Sequence, residues 1–284
     1  MPPFLIKRLE KFKDLPPMPN TMQKVLKEME SISANSKSLE KIIMHDPVLA
    51  ARILKVANSP LYGTSGQVNT ISHAITILGF DEVRNLVIGL SLMQAFGEDA
   101  SFKGFSTKDL WLHSMGVATS SMLIAKVAGN GFDPEECFTM GLLHDIGRFV
   151  LCKAFKEEVN KILEIQEAKR CPLAVAEEKQ GLSHAEVGAF LAKKWQLSEQ
   201  ITSVVRYHHT PKSAGEDEPL CAVVYLADQL CHRLGVGWSN KWLPKGVMLP
   251  KSLSLKKEDV QDLAKDIKKK KDALEKSWFQ AMGG

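Results

Sequence analysis

The stretch that decides the fold reads Gly141-Leu142-Leu143-His144-Asp145-Ile146-Gly147-Arg148. It places an imidazole and a carboxylate side by side among apolar neighbours, within a segment of helical spacing. Burial of an Asp beside a His is costly unless something cationic compensates the charge. This octapeptide therefore predicts a buried helical element and, within it, a place for a positively charged species.

Helical spacing continues on both sides of this stretch. Apolar residues recur at intervals of three and four over residues 107–128, 134–155, 172–194, 198–208 and 220–234, and each interval predicts a helix. Towards the N-terminus the pattern predicts a helix from about residue 20, one that opens at Ser38, one with Asp46 as N-cap and Pro47 at its first position, one over 71–78 that Gly79 ends, and one capped by Asp81. The sequence shows no β-branched alternation between hairpin turns, so it predicts an all-α protein, a multi-helix bundle.

Composition and charge exclude several classes of protein. Of the 284 residues, 44% are hydrophobic and 25% are charged, which is typical of a globular chain and not of a disordered or fibrous one. A formal net charge of +4 is too small to indicate a nucleic-acid partner. The five cysteines contain no CxxC pair, which argues against a disulfide framework or a cysteine zinc cluster and favours the cytoplasm. The longest apolar stretch, residues 86–96, falls short of the roughly 20 residues of a membrane span, so none is expected.

Loop signals divide the chain into three regions. Residues 97–107 separate an N-terminal helical subdomain, 1–100, from a second helical subdomain, 101–240. Residues 241–284 form an irregular segment followed by a helix with one loose apolar face and with Lys268–Lys271 mostly on the other. We expect this helix to pack back onto the body of the protein. Docking to a partner or to an anionic surface is the alternative.

The second subdomain carries the candidate metal ligands. All of them are imidazole or carboxylate groups: Asp109, His113, His144, Asp145, His184, His208, His209 and Asp228. Asp109 and His113 are four residues apart, so a helix would place them on one face with about 5–6 Å between their Cβ atoms. Mixed His and Asp sets suit zinc, iron, manganese or nickel. Any one histidine is more often a core or surface residue than a ligand, and it is their joint placement on apolar segments that indicates a site.

The order of these residues resembles a known signature. His113, then His144-Asp145, then Asp228 is similar to the H…HD…D pattern of the HD superfamily of metal-dependent phosphohydrolases. Further motifs resemble the HDOD family, the HD-related output domain of bacterial signalling proteins. They are Leu15-Pro16-Pro17-Met18-Pro19, Asp46-Pro47-Val48-Leu49 with Arg52-Ile53-Leu54, Ala57-Asn58-Ser59-Pro60-Leu61-Tyr62-Gly63, and Ile71-Ser72-His73-Ala74-Ile75 with Leu78-Gly79. The resemblance covers about residues 15–235.

The resemblance implies an HD-domain-like helical bundle, a bacterial cytoplasmic protein and a role in signal transduction with signalling proteins as partners. Many HDOD members look like degenerate HD domains, whereas this sequence keeps a set similar to the complete one, which implies one or two divalent ions. His184 and His208-His209 stand where the related HD-GYP phosphodiesterases have further ligands. Asp109 stands where some of those enzymes have an extra carboxylate.

Two departures separate the sequence from the HD-GYP enzymes. Arg148 stands where those enzymes have Lys, and residues 210–215 replace both their Gly-Tyr-Pro signature and the Glu that follows the histidines. A cyclic dinucleotide is therefore not implied as substrate. In an active site of this kind Asp145 would bridge the ions, and Arg148 would neutralise charge on the phosphate.

Two functions stay open at this point. The first is a regulatory HDOD protein that retains a divalent-metal site and binds a signalling partner. The alternative is a metal-dependent phosphohydrolase or phosphodiesterase that acts on a phosphorylated small molecule, such as a nucleotide or cyclic nucleotide. Arg148 and the replaced signature favour the first function. A nucleic-acid binder would rest only on the pI of about 8.7 and the basic tail, and the sequence does not favour it.

Overall fold

The computed structural model describes residues 3–11, 15–29, 35–59, 67–97, 100–102, 105–129, 131–238, 242–243 and 246–281, most of which are helical. The helices before residue 100 are α1 (Pro3–Lys11), α2 (Asn20–Met29), α3 (Ser36–Met44), α4 (Pro47–Ala57), α5 (Ile71–Leu78) and α6 (Phe80–Phe96). The later helices are α7 (Thr107–Ala128), α8 (Pro134–Leu143), α9 (Ile146–Ala154), α10 (Lys156–Lys169), α11 (Leu173–Lys179), α12 (His184–Lys194), α13 (Glu199–Tyr207), α14 (Glu218–Leu234) and α15 (Lys257–Ala281). Two-residue strands, β1 (Ser101–Phe102) and β2 (Phe105–Ser106), pair antiparallel. The predicted all-α class is confirmed, with this short ladder as a minor addition.

Two compact units make up the chain. The first unit contains α1, the β1–β2 pair and α7 to α15 as far as Lys271, and the second contains α2 to α6 with the end of α15. Helix α1 lies in the first unit because it packs on a later helix: Arg8 pairs with Glu158 at 2.7 Å and lies over the ring of Phe155. The sequence pattern does not predict this helix. The domain limits at residues 100 and 240 stay a prediction.

Turn residues determine the helix ends of the second unit. Asp46 accepts a hydrogen bond from the Leu49 backbone N–H as N-cap of α4, with Pro47 at the first position, and Gly79 ends α5. These predictions are confirmed. Residues 60–63 of the HDOD-like motif that begins at Ala57 lie outside the described residues.

Two predicted caps of the second unit are wrong by a few residues. Asn35, not Ser38, is the N-cap of α3, and Ser38 completes a capping box three residues later. Helix α6 already begins at Phe80, so Asp81 lies in its first turn, where a carboxylate is favoured by the helix dipole.

Two predicted long helices of the first unit are broken. The helix predicted over 134–155 is interrupted at His144 and Asp145, and the one predicted over 172–194 is interrupted by a turn at residues 180–183. Helix α10 is not predicted from the sequence, because it buries only a narrow stripe among many charged residues: Val159, Ile162, Leu163 and Gln166.

The core of the first unit surrounds α14, whose residues from Cys221 to His232 are almost all buried. Leu263 and Ile267 of α15 join this core, each with 3% of its surface exposed, and Val260 packs against it. The expectation that the tail helix packs back onto the body is confirmed. No helix in the described part of the chain is both long and apolar enough to cross a membrane.

Candidate metal centre

Histidine and aspartate side chains from five parts of the chain converge inside the first unit. They come from α7 (His113), the turn between α8 and α9 (His144 and Asp145), the start of α12 (His184), the end of α13 (His208 and His209) and α14 (Asp228 and His232). We call this set the His/Asp cluster. All of its members are buried except His209, which is partly buried. They form three overlapping groups, in each of which the ligand atoms lie within 4.8 Å of one another.

The break between α8 and α9 directs Asp145 into the cluster. Asp145 is the N-cap of α9, yet its carboxylate caps nothing and faces the histidines instead. Close packing of α9 on α12 holds this geometry, since a Cβ at Gly147 would lie 1.9 Å from the His184 carbonyl oxygen. Only glycine permits this approach. As a result, Asp145 Oδ1 and His184 Nε2 lie 3.2 Å apart.

One side of the cluster is centred on Asp228. Its Oδ1 atom lies 3.0 Å from Nε2 of His113, 3.2 Å from Nε2 of His232 and 3.9 Å from Nε2 of His144. His144 Nε2 also lies 3.4 Å from Asp145 Oδ2. Three imidazoles and two carboxylates therefore meet here, and such a mixed donor set suits a divalent transition metal.

The other side of the cluster is centred on Asp145 Oδ1. Nε2 of His184 lies 3.2 Å from it and Nε2 of His208 lies 3.7 Å from it. The Nε2 atoms of His208 and His209 are each 3.2 Å from that of His184. Asp145 thus turns one oxygen to this trio and the other to His144 and Arg148.

Arg148 and Glu177 hold the Asp145 side of the cluster in place. The Arg148 guanidinium pairs with Asp145, donates from Nε to Glu177 Oε1 at 3.1 Å and lies over the ring of Trp238 at 5.3 Å. The other oxygen of Glu177 accepts the backbone N–H of His184 at 3.1 Å and pairs with Nδ1 of the same residue. One buried carboxylate therefore orients both a cation and a candidate ligand.

Burial keeps several imidazoles neutral. It lowers the pKa of His113 to about 4, with a further contribution from His232, and that of His209 to about 3, with a further contribution from His184. Burial and the neighbouring His209 also hold the pKa of His208 well below its usual value. Neutral imidazole is the form of histidine that binds metal.

The buried carboxylates stay ionised. Burial acts to raise the pKa of Asp145, but Arg148 and then His144 outweigh it, and the pKa lies well below its usual value. The pKa values of Asp228 and Glu177 are also lowered against the effect of burial, by His232 and by His184 respectively. Burial acts to lower the pKa of His144, but the neighbouring Asp145 outweighs it and the pKa is raised. With every imidazole neutral, the three carboxylates and the Arg148 guanidinium leave an excess of two negative charges in and beside the cluster. One divalent ion would neutralise that excess.

Unsatisfied atoms show that these residues fit a metal ion. Asp145 Oδ1, Asp228 Oδ2 and His144 Nε2 are buried and have no hydrogen-bond partner within the described part of the chain. Buried polar atoms are normally paired, and leaving one unpaired costs about 1–3 kcal/mol. All three atoms belong to the cluster, so a bound cation would supply the missing interaction.

The structure places Asp109 outside the cluster. Its Oδ2 atom accepts the backbone N–H of Ser106 at 3.0 Å and the Ser106 hydroxyl at 2.8 Å, which completes a capping box at the start of α7. The other seven predicted ligands come together. The structure thus corrects the role expected for Asp109, which is to cap the helix that carries His113.

Two residues of this region are missed by the sequence analysis. His232 lies four residues after Asp228, one turn further along α14, and a search for ligand-type pairs at this spacing would have found it. Glu177 lies four residues after the buried Leu173, on the apolar face of α11. A carboxylate on such a face requires a partner, and this is the signal that marks it.

A cavity of about 420 Å³ opens onto the cluster. His209, Asp228 and His232 line it from the metal side, together with Arg148. Val175, Val247 and Met248 are among the apolar residues of its wall. Its volume lies in the range of small-molecule sites, roughly 300–1,000 Å³.

A comparison with known domain families identifies the family of the chain. The profile of the HDOD domain matches residues 15–211. The chain belongs to the HDOD family. The matched region includes every cluster residue except Asp228 and His232, which lie beyond it on α14.

Relatives of this HDOD protein support the fold. A Marinobacter aquaeolei VT8 protein, named for an inferred role in signal transduction, has a TM-score of 0.84 at 24% identity over 98% of this chain and 65% of its own. A Shewanella amazonensis SB2B protein, named for an inferred phosphohydrolase activity, has a TM-score of 0.72 at 26% identity over 96% of this chain and 97% of its own. A protein of Treponema pallidum (strain Nichols) is 25% identical over 241 residues, 84% of this chain. The chain spans 46% of that relative's length.

Proposed function

We propose that this HDOD protein binds two divalent ions in the His/Asp cluster and uses them to hydrolyse a phosphoester in the adjoining cavity. The observation that carries the proposal is that His209, Asp228 and His232 belong both to the cluster and to the cavity wall. A metal site that served the fold alone would be closed by protein ligands, whereas a catalytic site keeps an open position. The 26% identity to the Shewanella amazonensis protein adds support.

The cluster divides into two ligand sets that share Asp145. The first would consist of His113, His144, Asp145 and Asp228, and the second of Asp145, His184, His208 and His209. Divalent ions bound there would lower the pKa of a coordinated water and polarise a phosphoryl oxygen. Iron, manganese, zinc and nickel all accept such a donor set.

The remaining residues orient the ligands and shape the space for a substrate. The Arg148 guanidinium holds the Asp145 carboxylate and also pairs with Glu177. Because these two carboxylates offset the positive charge of Arg148, Arg148 would act only on a phosphate that already lies beside it. The apolar wall formed by Val175, Val247 and Met248 favours a substrate with a flat or apolar group beside its phosphate. A nucleotide has this chemistry.

A regulatory role without turnover is the second candidate. The pairing of Arg148 with two carboxylates favours it, because the cation is then not free to attract a phosphate from solution. In this case the ions would stabilise the first unit, and the protein would act on a signalling partner.

Assays of metal-loaded protein test the proposal. The protein is loaded separately with Mn²⁺, Fe²⁺, Zn²⁺ and Ni²⁺ and given aryl phosphate monoesters and diesters and cyclic mononucleotides. We expect turnover by the wild type and a loss on the order of 100-fold or more in Asp145→Asn. Asp109→Asn is the matched control, since it makes the same chemical change outside the cluster, and its turnover should equal that of the wild type. Metal-bound protein without turnover would favour the regulatory candidate, and a chain that takes up no metal would contradict both.

A further inference from the structure

Two histidines direct the same ring nitrogen at one carboxylate oxygen. Nε2 of His113 lies 3.0 Å, and Nε2 of His232 lies 3.2 Å, from Oδ1 of Asp228. The two rings are stacked, with centroids 4.3 Å apart and 19° between their planes. A carboxylate oxygen only accepts hydrogen bonds, so these contacts are favourable if both nitrogens carry protons or if a cation lies among the three atoms.

The segment that follows α14 offers each ring a proton acceptor at Nδ1. The carbonyl of Val236 lies 3.3 Å from Nδ1 of His113, and the carbonyl of Trp238 lies 3.2 Å from Nδ1 of His232. A carbonyl is an acceptor, so a ring that keeps its proton on Nδ1 donates to it. In a neutral ring the proton on Nδ1 leaves a lone pair on Nε2. In this tautomer two lone pairs face the Asp228 carboxylate, and a cation among the three atoms would be coordinated by all of them, with each ring held by its carbonyl.

Gly237 brings this segment against α7. Its φ of +63° is favourable only for glycine, and a Cβ at this position would lie 2.2 Å from the backbone nitrogen of His113. The Trp238 N–H donates to the Asp109 carbonyl at 3.2 Å, which fixes the segment to the same turn of α7. Residues 236–238 are therefore placed so that their two carbonyls reach the two imidazoles.

We infer that His232 is a ligand of the metal ion beside Asp228, and that residues 236–238 orient His232 and His113 for this role. The inference rests on the proposed metal centre and extends its ligand set from five histidines to six of the eight in the chain. It also places a ligand on the cavity wall, because His232 lines that space. The ion at this position would then adjoin a bound substrate directly.

Counting the coordinated imidazoles of the wild type tests the inference without any variant. The protein is labelled with nitrogen-15 in its histidines and loaded to saturation with Co²⁺, and NMR counts the imidazoles whose ring N–H signals show the large contact shifts that require a bond to the ion. We expect six sets of shifted signals. Five sets would overturn the assignment of His232 and leave the proposed function standing, whereas a chain that takes up no Co²⁺ would overturn both.

A matched pair of variants tests the same inference by affinity. His232→Gln keeps a polar side chain of similar length, and we expect Co²⁺ affinity at one position to fall by about 10- to 100-fold or more, with the loss of one set of shifted signals. His45→Gln is the control, because the exposed His45 also donates its Nδ1 proton to a carbonyl, that of Lys41 at 2.6 Å, but lies outside the cluster. Wild-type affinity in His232→Gln would overturn the inference. If that variant does not fold, the wild-type count decides alone.

Discussion

Glu177 is the residue on which both Arg148 and His184 depend. Glu177→Gln keeps the shape of the side chain but removes the charge that opposes the buried guanidinium. Breaking a buried ion pair costs about 3–5 kcal/mol, and the pair that remains with Asp145 should hold the loss near the lower end. We therefore expect the free energy of unfolding, measured in urea, to fall by about 3 kcal/mol. Glu178→Gln, an exposed neighbour, should change it by less than about 0.5 kcal/mol.

A purely structural role for Glu177 would affect stability alone. We expect Glu177→Gln also to weaken metal binding at the position of Asp145 and His184 by about 10- to 100-fold, because His184 Nδ1 loses the acceptor that orients its ring. Isothermal titration with Zn²⁺, under conditions where the variant is folded, measures this affinity. Unchanged affinity would contradict the orienting role.

For single residues, the sequence predicts well which side chains come together in the cluster. It predicts less well the role of each side chain. Seven of the eight predicted ligands converge because each lies on an apolar segment, and burial of a polar group there demands a partner. Asp109 was assigned by its spacing to His113, but spacing along a helix does not show that the first turn needs a carboxylate for its own cap. His232 and Glu177 were missed, although the same burial argument applies to them.

Helices α9 and α12 approach so closely at Gly147 that no side chain fits between them. We expect Gly147→Ala to cost about 1–3 kcal/mol or more, because the added methyl meets a backbone carbonyl that cannot rotate away. Metal uptake should fall with it, since the same contact brings Asp145 to His184. Thermal unfolding and metal analysis of the purified variant measure the two effects.

Gly79→Ala is the matched control for this packing argument. Gly79 has a φ of +92°, but no atom lies within 4 Å of an added Cβ, so that variant should lose about 1 kcal/mol from backbone strain alone and keep its metal. Equal losses in the two variants would show that the contact between α9 and α12 does not matter.

Helix α15 is held by a few apolar residues among many charged ones. Leu263→Ala removes a side chain that is 97% buried in the core of the first unit, and we expect a loss of about 2–5 kcal/mol. Lys269→Ala on the exposed face should change the free energy of unfolding by less than about 1 kcal/mol, although Lys269 lies 3.8 Å from Asp266. Denaturant unfolding followed by circular dichroism compares the two, and similar losses would mean that α15 is not anchored by its apolar face.

The periodicity of apolar residues predicts the positions of most helices. It does not predict the points at which two long helices are interrupted. Neither Gly nor Pro stands at the break itself, which is at His144 and Asp145. The break brings Asp145 into the cluster, and the contact of Gly147 with α12 holds it there. Both features are tertiary, so a local pattern does not contain them. Helix α10 was missed for the opposite reason: its fourteen residues bury only a narrow stripe, too weak for a periodicity signal.

The buried thiols should report on the folded state of the whole first unit, which contains all five cysteines of the chain. Burial raises the pKa of Cys137, Cys152, Cys221 and Cys231 to about 12, above the ordinary value of 9.0. Their neutral form is thus favoured by folding, and the free energy of unfolding should be unaffected by these groups below pH 9 and fall between about pH 9 and 12. At pH 8 we expect iodoacetamide to label the partly exposed Cys171 and to reach the other four only in denaturant, as mass spectrometry would show. Rapid native labelling of all five would contradict their burial.

The excess negative charge in and beside the His/Asp cluster predicts that the stability of the molecule depends on bound metal. An ion that binds only the folded chain stabilises it by about 2.7 kcal/mol at a free concentration 100 times its Kd. For a chain of this size we expect a rise in Tm of roughly 5–10 °C on loading with Zn²⁺ or Mn²⁺, reversed by a chelator. Calorimetry should show this shift in Asp109→Asn, which keeps the cluster, and little of it in Asp145→Asn, which removes the shared carboxylate. Equal Tm values with and without metal in the wild type would mean that the cluster is held together without an ion.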